Sequence, residues 1–409
     1  MRFLNSSAKK VIIVLLSLML APLPPCLAAP DREAKKAYES GDFDQAARIL
    51  VEKLRKKSDH QDNIILLETV LPFAFKKGIS IAKDYESKGE WDKAVVAYNN
   101  VKTLADEVSY MPPVMKETKI DGKKQKQPIS FQVVDVTNEL NSARQSAIRT
   151  HYDDGMAKLQ ANQWKGAAVE FRLVKQYDPN YQDASARYDE CRKKAIFKIA
   201  IMPFDDVSGK TQYGNLGPLI TERVISTAFN SNPEFLEFVT REYLQQLFAE
   251  QGIQQTTAID PGTATALGRK IGVQAFVFGK ILSVISNYPG DIVKTGTNTA
   301  EFYVGKGQTR TAYVAYEMGT RSGEVKIQAS YQIVDVVKGT IISAETIEET
   351  ANRTAQWVKF KGDEDAIPHD VKKHHTTGDV PIDSPEVLAN EAATKLAGVL
   401  AGRLVSKFE

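Results

Sequence analysis

Two short segments of this 409-residue chain carry residue types that could do chemistry. The first is SGKT at Ser208–Thr211, which follows an apolar run and precedes an amphipathic stretch, the setting of a phosphate-binding loop. That loop requires a glycine five residues before Gly209, and this position is Phe204. Asp205 and Asp206 would also place two negative charges where phosphates bind. We therefore interpret the segment as a charged turn and expect no nucleotide cofactor.

The second segment is rich in histidine and acidic residues. His369, His374 and His375 lie between Pro368 and Pro381, and imidazoles at neighbouring positions can bind a transition metal. His374 and His375 are adjacent, so their side chains point in different directions on a helix or a strand. We interpret the stretch as a solvated loop. It offers three weak metal-ligand candidates, and we expect no metal site.

Nothing else in the sequence has the pattern of a catalytic centre. There is no Gly-x-Ser-x-Gly elbow, and the chain has five histidines. Cys191 lies in a helical run between Glu190 and Arg192. We therefore predict that the protein is not an enzyme and has no catalytic or cofactor-binding residues.

The first 29 residues have the pattern of a secretory signal peptide. Lys9 and Lys10 end a basic head, an apolar run follows at Val11–Ala21, and the small residues Ala28-Ala29 come after three prolines. The apolar run is shorter than the about 20 residues that cross a bilayer. The pattern predicts that the mature chain is exported, with cleavage near Ala28 or Ala29.

Cys26 leaves a second mode of processing open. A bacterial lipoprotein signal places small residues before a cysteine that receives lipid, whereas Pro24 and Pro25 precede Cys26. Cys26 is thus a candidate for lipidation, with ordinary cleavage as the better match. If Cys26 is removed, Cys191 is the one remaining cysteine, and no intramolecular disulfide can form.

The charge balance argues against a polyanionic partner. The chain has 53 Lys and Arg against 51 Asp and Glu, and without Arg2, Lys9 and Lys10 the basic residues number 50. Nucleic-acid binding depends on an excess of basic side chains that displace counterions. We therefore expect no nucleic-acid partner.

Residues 30–196 read as helices, and one pattern recurs in them. A turn residue and an aromatic two positions later precede an alanine and then a large apolar residue. The copies are Gly41, Phe43, Ala46 and Leu50; Gly89, Trp91, Ala94 and Tyr98; and Asn162, Trp164, Ala167 and Phe171. Glycine or asparagine accepts the left-handed turn of a helical hairpin, and alanine allows close helix approach. The pattern resembles the tetratricopeptide repeat, whose stacked hairpins hold other proteins.

The copies depart from a tandem array. They are 48 and then 73 residues apart, whereas the repeat period is 34. Three unrelated helical hairpins used as a spacer are therefore an alternative. Between the copies we expect an exposed loop at about 111–128, containing Pro112, Pro113 and the lysine-rich run at 123–127. A docking site for an acidic partner is the alternative interpretation of this run.

Residues 197–409 alternate between predicted strands and helices. The predicted strands are Lys198–Phe204, Leu236–Thr240 and Ala275–Ile285; the predicted helices are Leu216–Phe229, Arg241–Gln251, one opened by Pro261, and Ser384 to about Lys407. This order predicts an α/β sandwich with a mixed sheet. The fold class is therefore α+β and multidomain, with the helical region first. We expect the last helix to cover the sheet, with ring contacts between subunits as an alternative role.

Four segments of this second region carry a family resemblance. IAIMPFDDVSG at Ile199–Gly209, FVTREYLQQLFAEQG at Phe238–Gly252, ALGRKIGVQAFVFGKI at Ala266–Ile281 and YQIVDVVKGTIISAE at Tyr331–Glu345 occur in that order. As a set they resemble the CsgG curli production, assembly and transport family and the related TolB amino-terminal domains. The resemblance implies a periplasmic α/β domain associated with the outer membrane. The best-known members form ring-shaped secretion pores, each subunit contributing two membrane-crossing hairpins.

The positions expected for those two hairpins look unsuited to crossing a membrane. A spanning strand needs about 9–11 alternating residues, whereas between Asn287 and Gly323 the alternating runs are five residues long and end at glycines such as Gly305 and Gly319. The second position, Asn352–Pro381, is highly charged. Within it we expect Trp357 to pack at a sheet edge, with a ligand platform as the alternative.

These observations predict a non-enzymatic, exported cell-envelope protein. It would act in assembly or secretion at the outer membrane, for curli-type or related surface structures, through contacts with other envelope or secreted proteins. Peripheral outer-membrane association and a homo-oligomer fit the same resemblance. Two alternatives remain: an oligomeric outer-membrane secretion pore, and a regulatory binding module for cell-wall synthesis.

Overall fold

The computed structural model describes residues 30–120, 123–239, 241–250, 266, 268–270 and 272–409. The chain is an α+β protein that divides into two compact units, the first ending at Cys191 and the second beginning at Arg192. We call them the helical unit and the sheet unit. The predicted signal segment with Cys26, and most of the helix predicted after Pro261, lie outside the described residues.

Antiparallel hairpins build the helical unit. Its described helices are α1 Arg32–Glu39, α2 Phe43–Lys56, α3 Gln61–Ser87, α4 Trp91–Ser109, α5 Thr137–Gln160, α6 Trp164–Tyr177 and α7 Ala184–Ala195, the last of which contains the boundary between the units. Gly41, Gly89 and Asn162 join the three hairpins with φ of 78°, 71° and 56°. These are the turn residues that the sequence pattern predicted, and they adopt the expected left-handed conformation.

Small residues set the distance between paired helices. Ala46, Ala94 and Ala167 are fully buried, as the repeated pattern predicted. The aromatics Phe43 and Trp91 are half-buried rather than enclosed, and so is Trp164. Each hairpin therefore buries its alanine and exposes part of its aromatic side chain.

The loop predicted at about 111–128 is instead a β-hairpin. Strand β1, Val114–Ile120, pairs antiparallel with β2, Lys123–Ile129. The prediction failed because β2 is exposed from Lys123 to Pro128 and therefore has no apolar face to reveal a strand. The hairpin is held by main-chain contacts to the start of α3, where Met115 N donates to Ser58 O at 2.9 Å.

The sheet unit is a mixed sheet flanked by helices. Its described elements are β3 Phe197–Ile201, β4 Asp205–Asp206, α8 Leu216–Asn230, β5 Leu236–Phe238, α9 Arg241–Glu250, β6 Ala275–Asn287, β7 Ile292–Gly305, β8 Gln308–Asp335, β9 Ile341–Gly362, α10 His369–His374, β10 Thr376–Thr377 and α11 Pro385–Phe408. The strand order is β10-β9-β8-β6-β3-β5, with β4 beside β6 and β7 beside β8. The pairs β3–β5 and β3–β6 are parallel, and β6–β8 and β8–β9 are antiparallel.

Strand β3 is buried on both faces because a separate core covers each. Ile199 and Ile201 face the larger core, formed with α8 and α11. Ala200 and Met202 face a smaller core that includes Leu244 of α9. The continuous apolar run thus marks a two-sided strand, as predicted.

Helix α11 covers the larger core, as the sequence predicted. The Ser384 side chain caps Val387 N, and Leu388, Leu396 and Leu404 are fully buried. Helix α8 lies beside it, tied to the end of β3 through Thr221. Thr221 Oγ1 accepts from Phe204 N at 3.1 Å and donates to Gly217 O at 2.9 Å.

The strands of the first expected membrane hairpin are much longer than the sequence suggested. Strand β7 has 14 residues and β8 has 28, paired antiparallel from Ile292↔Thr320 to Gly305↔Gln308. Gly305 does mark the end of a strand, whereas Gly319 lies inside β8 and pairs with Trp357 of β9. The prediction failed because a glycine inside a strand was read as its end. We call β7, the β7-paired half of β8 and the adjoining end of β9 the arm.

Candidate functional site

The helical unit carries a cleft between the start of α2 and the helices α3 and α4. Its volume is about 240 Å³. Its floor is apolar and its rim is polar. The floor is formed by Phe43, Ala74, Phe75, Gly78, Ile81, Ala97, Val101 and Leu104, and the rim by Asp42, Asp44, Lys77 and Asn100.

Close packing of α3 on α4 forms the floor of this cleft. A Cβ added to Gly78 would lie 2.5 Å from Val101 Cγ2, so only glycine permits this approach. Leu104 is buried, whereas Ile81 remains 43% exposed in the cleft. The cleft therefore presents accessible apolar surface on a rigid helical support.

Ion pairs and aromatic contacts order the rim. The Arg48 guanidinium lies 2.9 Å from Asp44 and 2.6 Å from Glu107, linking α2 to α4. Burial acts to lower the pKa of Arg48, but Asp44 and Glu107 outweigh it and raise that pKa. Lys77 Nζ donates to Gly41 O at 2.8 Å and lies 5.7 Å from the centre of the Phe43 ring. The rim is thus pre-organised around Phe43.

The size and lining of the cleft suit the binding of a small apolar group. Its volume is below the roughly 300–1,000 Å³ usual for small-molecule sites. Its lining residues include no histidine, cysteine or serine that could act as a nucleophile or a base. A single apolar side chain of a polypeptide, flanked by polar groups, matches the floor and rim.

A buried histidine lies elsewhere in the same unit, where α4, α5 and α6 meet. His151 Nδ1 is 2.6 Å from Glu170 Oε2, and His151 Nε2 is 3.0 Å from Asp92 Oδ2. Tyr177 donates to Asp92 at 2.6 Å, and Lys158 pairs with Glu170. The His151 side chain is 12% exposed. The cluster joins the second helical hairpin to the third.

The cluster shifts the protonation equilibria of its members. Burial acts to lower the pKa of His151, but its hydrogen bonds to Glu170 and Asp92 outweigh burial and raise it. Burial acts to raise the pKa of Glu170, but Lys158 and His151 outweigh it and lower that pKa. Burial and Asp92 both raise the pKa of Tyr177.

The arm of the sheet unit carries a second, shallower cavity of about 620 Å³. Its polar lining side chains come from three neighbouring strands, with Thr295 opposite Glu317 and Glu317 opposite Lys359. The other face of the arm packs Val314 and Val358 against Ile367 and Val371 of the following segment. The exposed face therefore combines polar side chains with exposed apolar ones such as Val293 and Tyr313, whereas the opposite face is covered around Val314 and Val358.

The residues that the sequence singled out for chemistry lie in different elements of the structure. Ser208–Thr211 form a turn in which Ser208 N donates to Asp206 Oδ1 at 2.9 Å, and Gly209 has a φ of 69°. Cys191 is buried in α7. Trp357 is buried, but it does not lie at a sheet edge, because β9 pairs there with both β8 and β10.

The histidine stretch is more ordered than the predicted loop. His369 and His374 lie in the short helix α10, and His375 Nδ1 lies 3.1 Å from Val371 O. The side chain of His374 is outside the described residues. Among the described residues, no group of three or more His, Cys, Asp or Glu side chains is placed to hold a metal ion.

Sequence reasoning missed both the cleft and the His151 cluster. The cleft draws on three helices, and the signals available were the turn at Gly41 and the aromatic Phe43. His151 is 59 residues from Asp92 and 19 from Glu170, so no local spacing relates them. A lone histidine in a helical run gives no sign of two carboxylate neighbours.

No protein-family model matches the chain, and no curated protein matches it. Solved structures similar to it include the lipoprotein GNA1162 from Neisseria meningitidis, at 13% identity over 38% of this chain and 83% of that chain, with a TM-score of 0.24. Another is the hypothetical protein CT253 from Chlamydia trachomatis, at 12% identity over 52% of this chain and 98% of that chain, with a TM-score of 0.27. Likenesses this distant carry no argument about function.

Among the described residues, no helix combines the length and the apolar character needed to cross a bilayer.

Proposed function

We propose that this protein is an exported, non-enzymatic protein of the cell envelope that acts in assembly or secretion at the outer membrane by binding other proteins. The helical unit holds a segment of a client protein, and the sheet unit makes further protein contacts. The observation that carries the proposal is the cleft of α2, α3 and α4.

The cleft supports client binding because it exposes apolar surface in an ordered polar frame. Ile81 is 43% exposed in the cleft, and Asp42 and Asn100 line the rim. Peptide recognition by helical scaffolds pairs an apolar anchor with surrounding polar contacts. The client segment would place one aliphatic or aromatic side chain over Ile81.

Two sequence resemblances support the setting of this activity. Turns at Gly41, Gly89 and Asn162 with buried alanines agree with a tetratricopeptide-like scaffold. In the sheet unit, the buried strand β3 precedes Pro203-Phe204 and then α8. The hairpin of β8 and β9 turns at Gly339, whose φ is 64°. Both features agree with a CsgG-like domain. The signal-like segment at 1–29 supports export.

Site-specific photo-crosslinking tests the proposal. Benzoylphenylalanine would replace Ile81 in the cleft, and, as a matched control, Val96, a 58% exposed residue of α4 that does not line the cleft. In host cells we expect Ile81 to give one discrete adduct with an envelope or secreted protein, and Val96 to give none. Identical patterns at both positions, or a chain that fractionates with the cytoplasm, would refute the proposal.

A second candidate, the oligomeric secretion pore, is favoured by strand length. Strands β7, β8 and β9 have 14, 28 and 22 residues, more than the about 9–11 that a spanning strand needs. The charged Glu317 and Lys359 on the exposed face of the arm count against contact with hydrocarbon, although Val293 and Tyr313 are exposed on the same face. Light scattering on the purified chain separates the two candidates, because a pore requires a ring of many subunits. Extraction of membranes with high salt is a second test, because an integral pore stays in the membrane.

A further inference from the structure

In the part of the chain that the structure describes, the β1–β2 hairpin has hydrogen bonds to its surroundings along the β1 edge and no main-chain hydrogen bond along the outer β2 edge. On the β1 side, Met115 N donates to Ser58 O at 2.9 Å and Gln61 Nε2 donates to Met115 O at 2.8 Å. Glu117 N donates to Gln61 Oε1 at 2.6 Å. Three outer main-chain groups of β1, on Met115 and Glu117, are therefore occupied by the turn before α3 and by the first residue of α3.

These contacts fix which groups of β2 point outward. In an antiparallel pair, residues whose N–H and C=O point away from the partner strand lie opposite one another. Met115 and Glu117 point away from β2, and they pair with Pro128 and Lys126. Lys124 lies two residues before Lys126, so its main-chain N–H and C=O point to the same side. The N–H groups of Lys124 and Lys126, and the carbonyls of Lys124, Lys126 and Pro128, therefore point away from β1.

Pro128 agrees independently with this assignment. Proline has no N–H, and within a sheet it is tolerated where that N–H would face outward. Its pairing with Met115 places it at such an outward position. The hairpin therefore loses no internal hydrogen bond to Pro128.

All the charged side chains of the outer strand β2 are lysines. Its sequence, KKQKQPI, contains three lysines and no acidic residue, and every residue from Lys123 to Pro128 is exposed. Lys124 lies 3.3 Å from Glu117, and Lys126 lies 2.9 Å from Asp59. Both lysines are exposed, whereas Glu117 is half-buried, and ion pairs this accessible to solvent contribute little to stability, so a partner's carboxylates can replace them at little cost.

We propose that the outer edge of β2 binds an extended acidic segment of a partner protein, which adds to the hairpin as a third strand. Main-chain groups of Lys124 and Lys126 supply the ladder, and Lys123, Lys124 and Lys126 supply charge complementarity. A second copy of β2 is disfavoured as the occupant because it would place lysine against lysine. This surface is separate from the cleft and does not depend on the function proposed for it.

Fluorescence anisotropy with the full chain tests the proposal. The probe is a labelled octapeptide of alternating Glu and Thr, and its counterpart with Lys in place of Glu is the control. We expect binding of the acidic peptide, weakened at higher salt, and none of the basic peptide. No binding would overturn the proposal. The lysines and Pro128 would then serve to prevent the exposed strand from aggregating with other strands. Dimers in light scattering would instead assign the edge to a second copy.

Two variants at one position separate charge from main-chain pairing. Lys126→Gln removes the charge alone, and exposed ion pairs are worth about a two- to fivefold change in affinity. Lys126→Pro also removes the outward N–H, and we expect a further loss of up to about tenfold. Equal affinities of the two variants would overturn the strand-addition model and leave only electrostatic attraction.

Amide exchange measured on the unmodified chain tests the same geometry without the proline variant, which could misfold. By NMR, we expect the acidic peptide to slow exchange at the outward amides of Lys124 and Lys126. The inward amides of Gln125 and Gln127 already pair with β1 and should change little. Uniform slowing at all four amides, or none, would contradict the proposed geometry.

Discussion

His151 and Glu170 form the most enclosed polar pair of the His151 cluster, with Nδ1 2.6 Å from Oε2 and side chains 12% and 13% exposed. The other ring nitrogen of His151 faces Asp92. A carboxylate only accepts, so both ring nitrogens can donate only when the imidazole is protonated. In its protonated form, His151 can therefore donate to both carboxylates and tie α4 and α6 to α5.

This pairing predicts stability that depends on pH. The folded-state pKa of His151 is raised, so its contribution is fully present below about pH 6.5 and is lost as the pH rises through the raised value. The pKa of Glu170 is lowered, so its contribution is present above about pH 4.5 and is lost in acid. We expect His151→Gln to destabilise the chain more at pH 6 than at pH 9, by about 1.5–3 kcal/mol, the range for hydrogen bonds to charged groups.

Urea denaturation at pH 6 and pH 9, followed by tryptophan fluorescence, measures this difference. Trp91 and Trp164 report on the helices that the cluster joins. His369→Gln is the matched control, because His369 is exposed in the sheet unit. An equal loss for His151→Gln at both pH values would show that the imidazolium does not hold the helices together.

Gly217 predicts a large effect from a small substitution. A Cβ at this position would overlap the main-chain oxygen of Phe204, which cannot move without disturbing the end of β3. Overpacking of this kind typically costs 1–3 kcal/mol, so we expect Gly217→Ala to lose about that much unfolding free energy. Gly402→Ala, in α11 with open space around it, should instead gain up to about 1 kcal/mol. Thermal denaturation of the two variants compares them, and similar melting temperatures would contradict the packing.

Gly319 and Trp357 predict a spectroscopic change. The indole lies over Gly319, so a Cβ there would overlap the ring. In a Trp91→Phe, Trp164→Phe background, we expect Gly319→Ala to shift the emission of Trp357 to the red and to destabilise the arm by about 1–3 kcal/mol. An unchanged emission maximum would mean that the ring does not cover Gly319.

Loss of the Arg321 contacts should let the segment after α10 open locally. Its guanidinium makes two 2.9 Å contacts to Asp291 and donates to Val380 O at 3.0 Å. Hydrogen bonding to Arg321 lowers the pKa of Asp291, so this contact persists at neutral pH and weakens in acid. Arg321→Lys keeps the charge but loses the two parallel hydrogen bonds of the guanidinium, and we expect it to speed amide exchange near residues 376–380. Arg353→Lys is the control, and equal exchange in both variants would count against the role of Arg321.

The sequence predicted elements whose own residues reveal them. Turn residues such as Gly41 and Asn162, the two-sided strand β3 and the capped helix α11 follow from local conformation and apolar spacing. The β1–β2 hairpin escaped prediction because exposed lysines and glutamines line β2 while its support comes from Gln61. The length of β8 escaped because Gly319 lies within it beneath Trp357, a contact between residues 38 positions apart.

The candidate sites were harder to foresee than the fold. The histidines at 369, 374 and 375 attracted attention because they cluster in sequence, yet no described metal-binding group forms there. His151 stood alone in sequence and meets two carboxylates in space. Packing between distant helices brings His151 to its carboxylates, and one sequence gives no local sign of it.

Occupancy of the cleft is the central claim, and one crosslinking comparison tests it most directly. Benzoylphenylalanine at Asn100, on the cleft rim, would be placed in the otherwise unmodified chain and in a chain carrying Ala97→Leu, which fills the floor. With both chains equally stable, we predict a client adduct in the first and its loss in the second. An adduct of equal yield in both would contradict binding in the cleft.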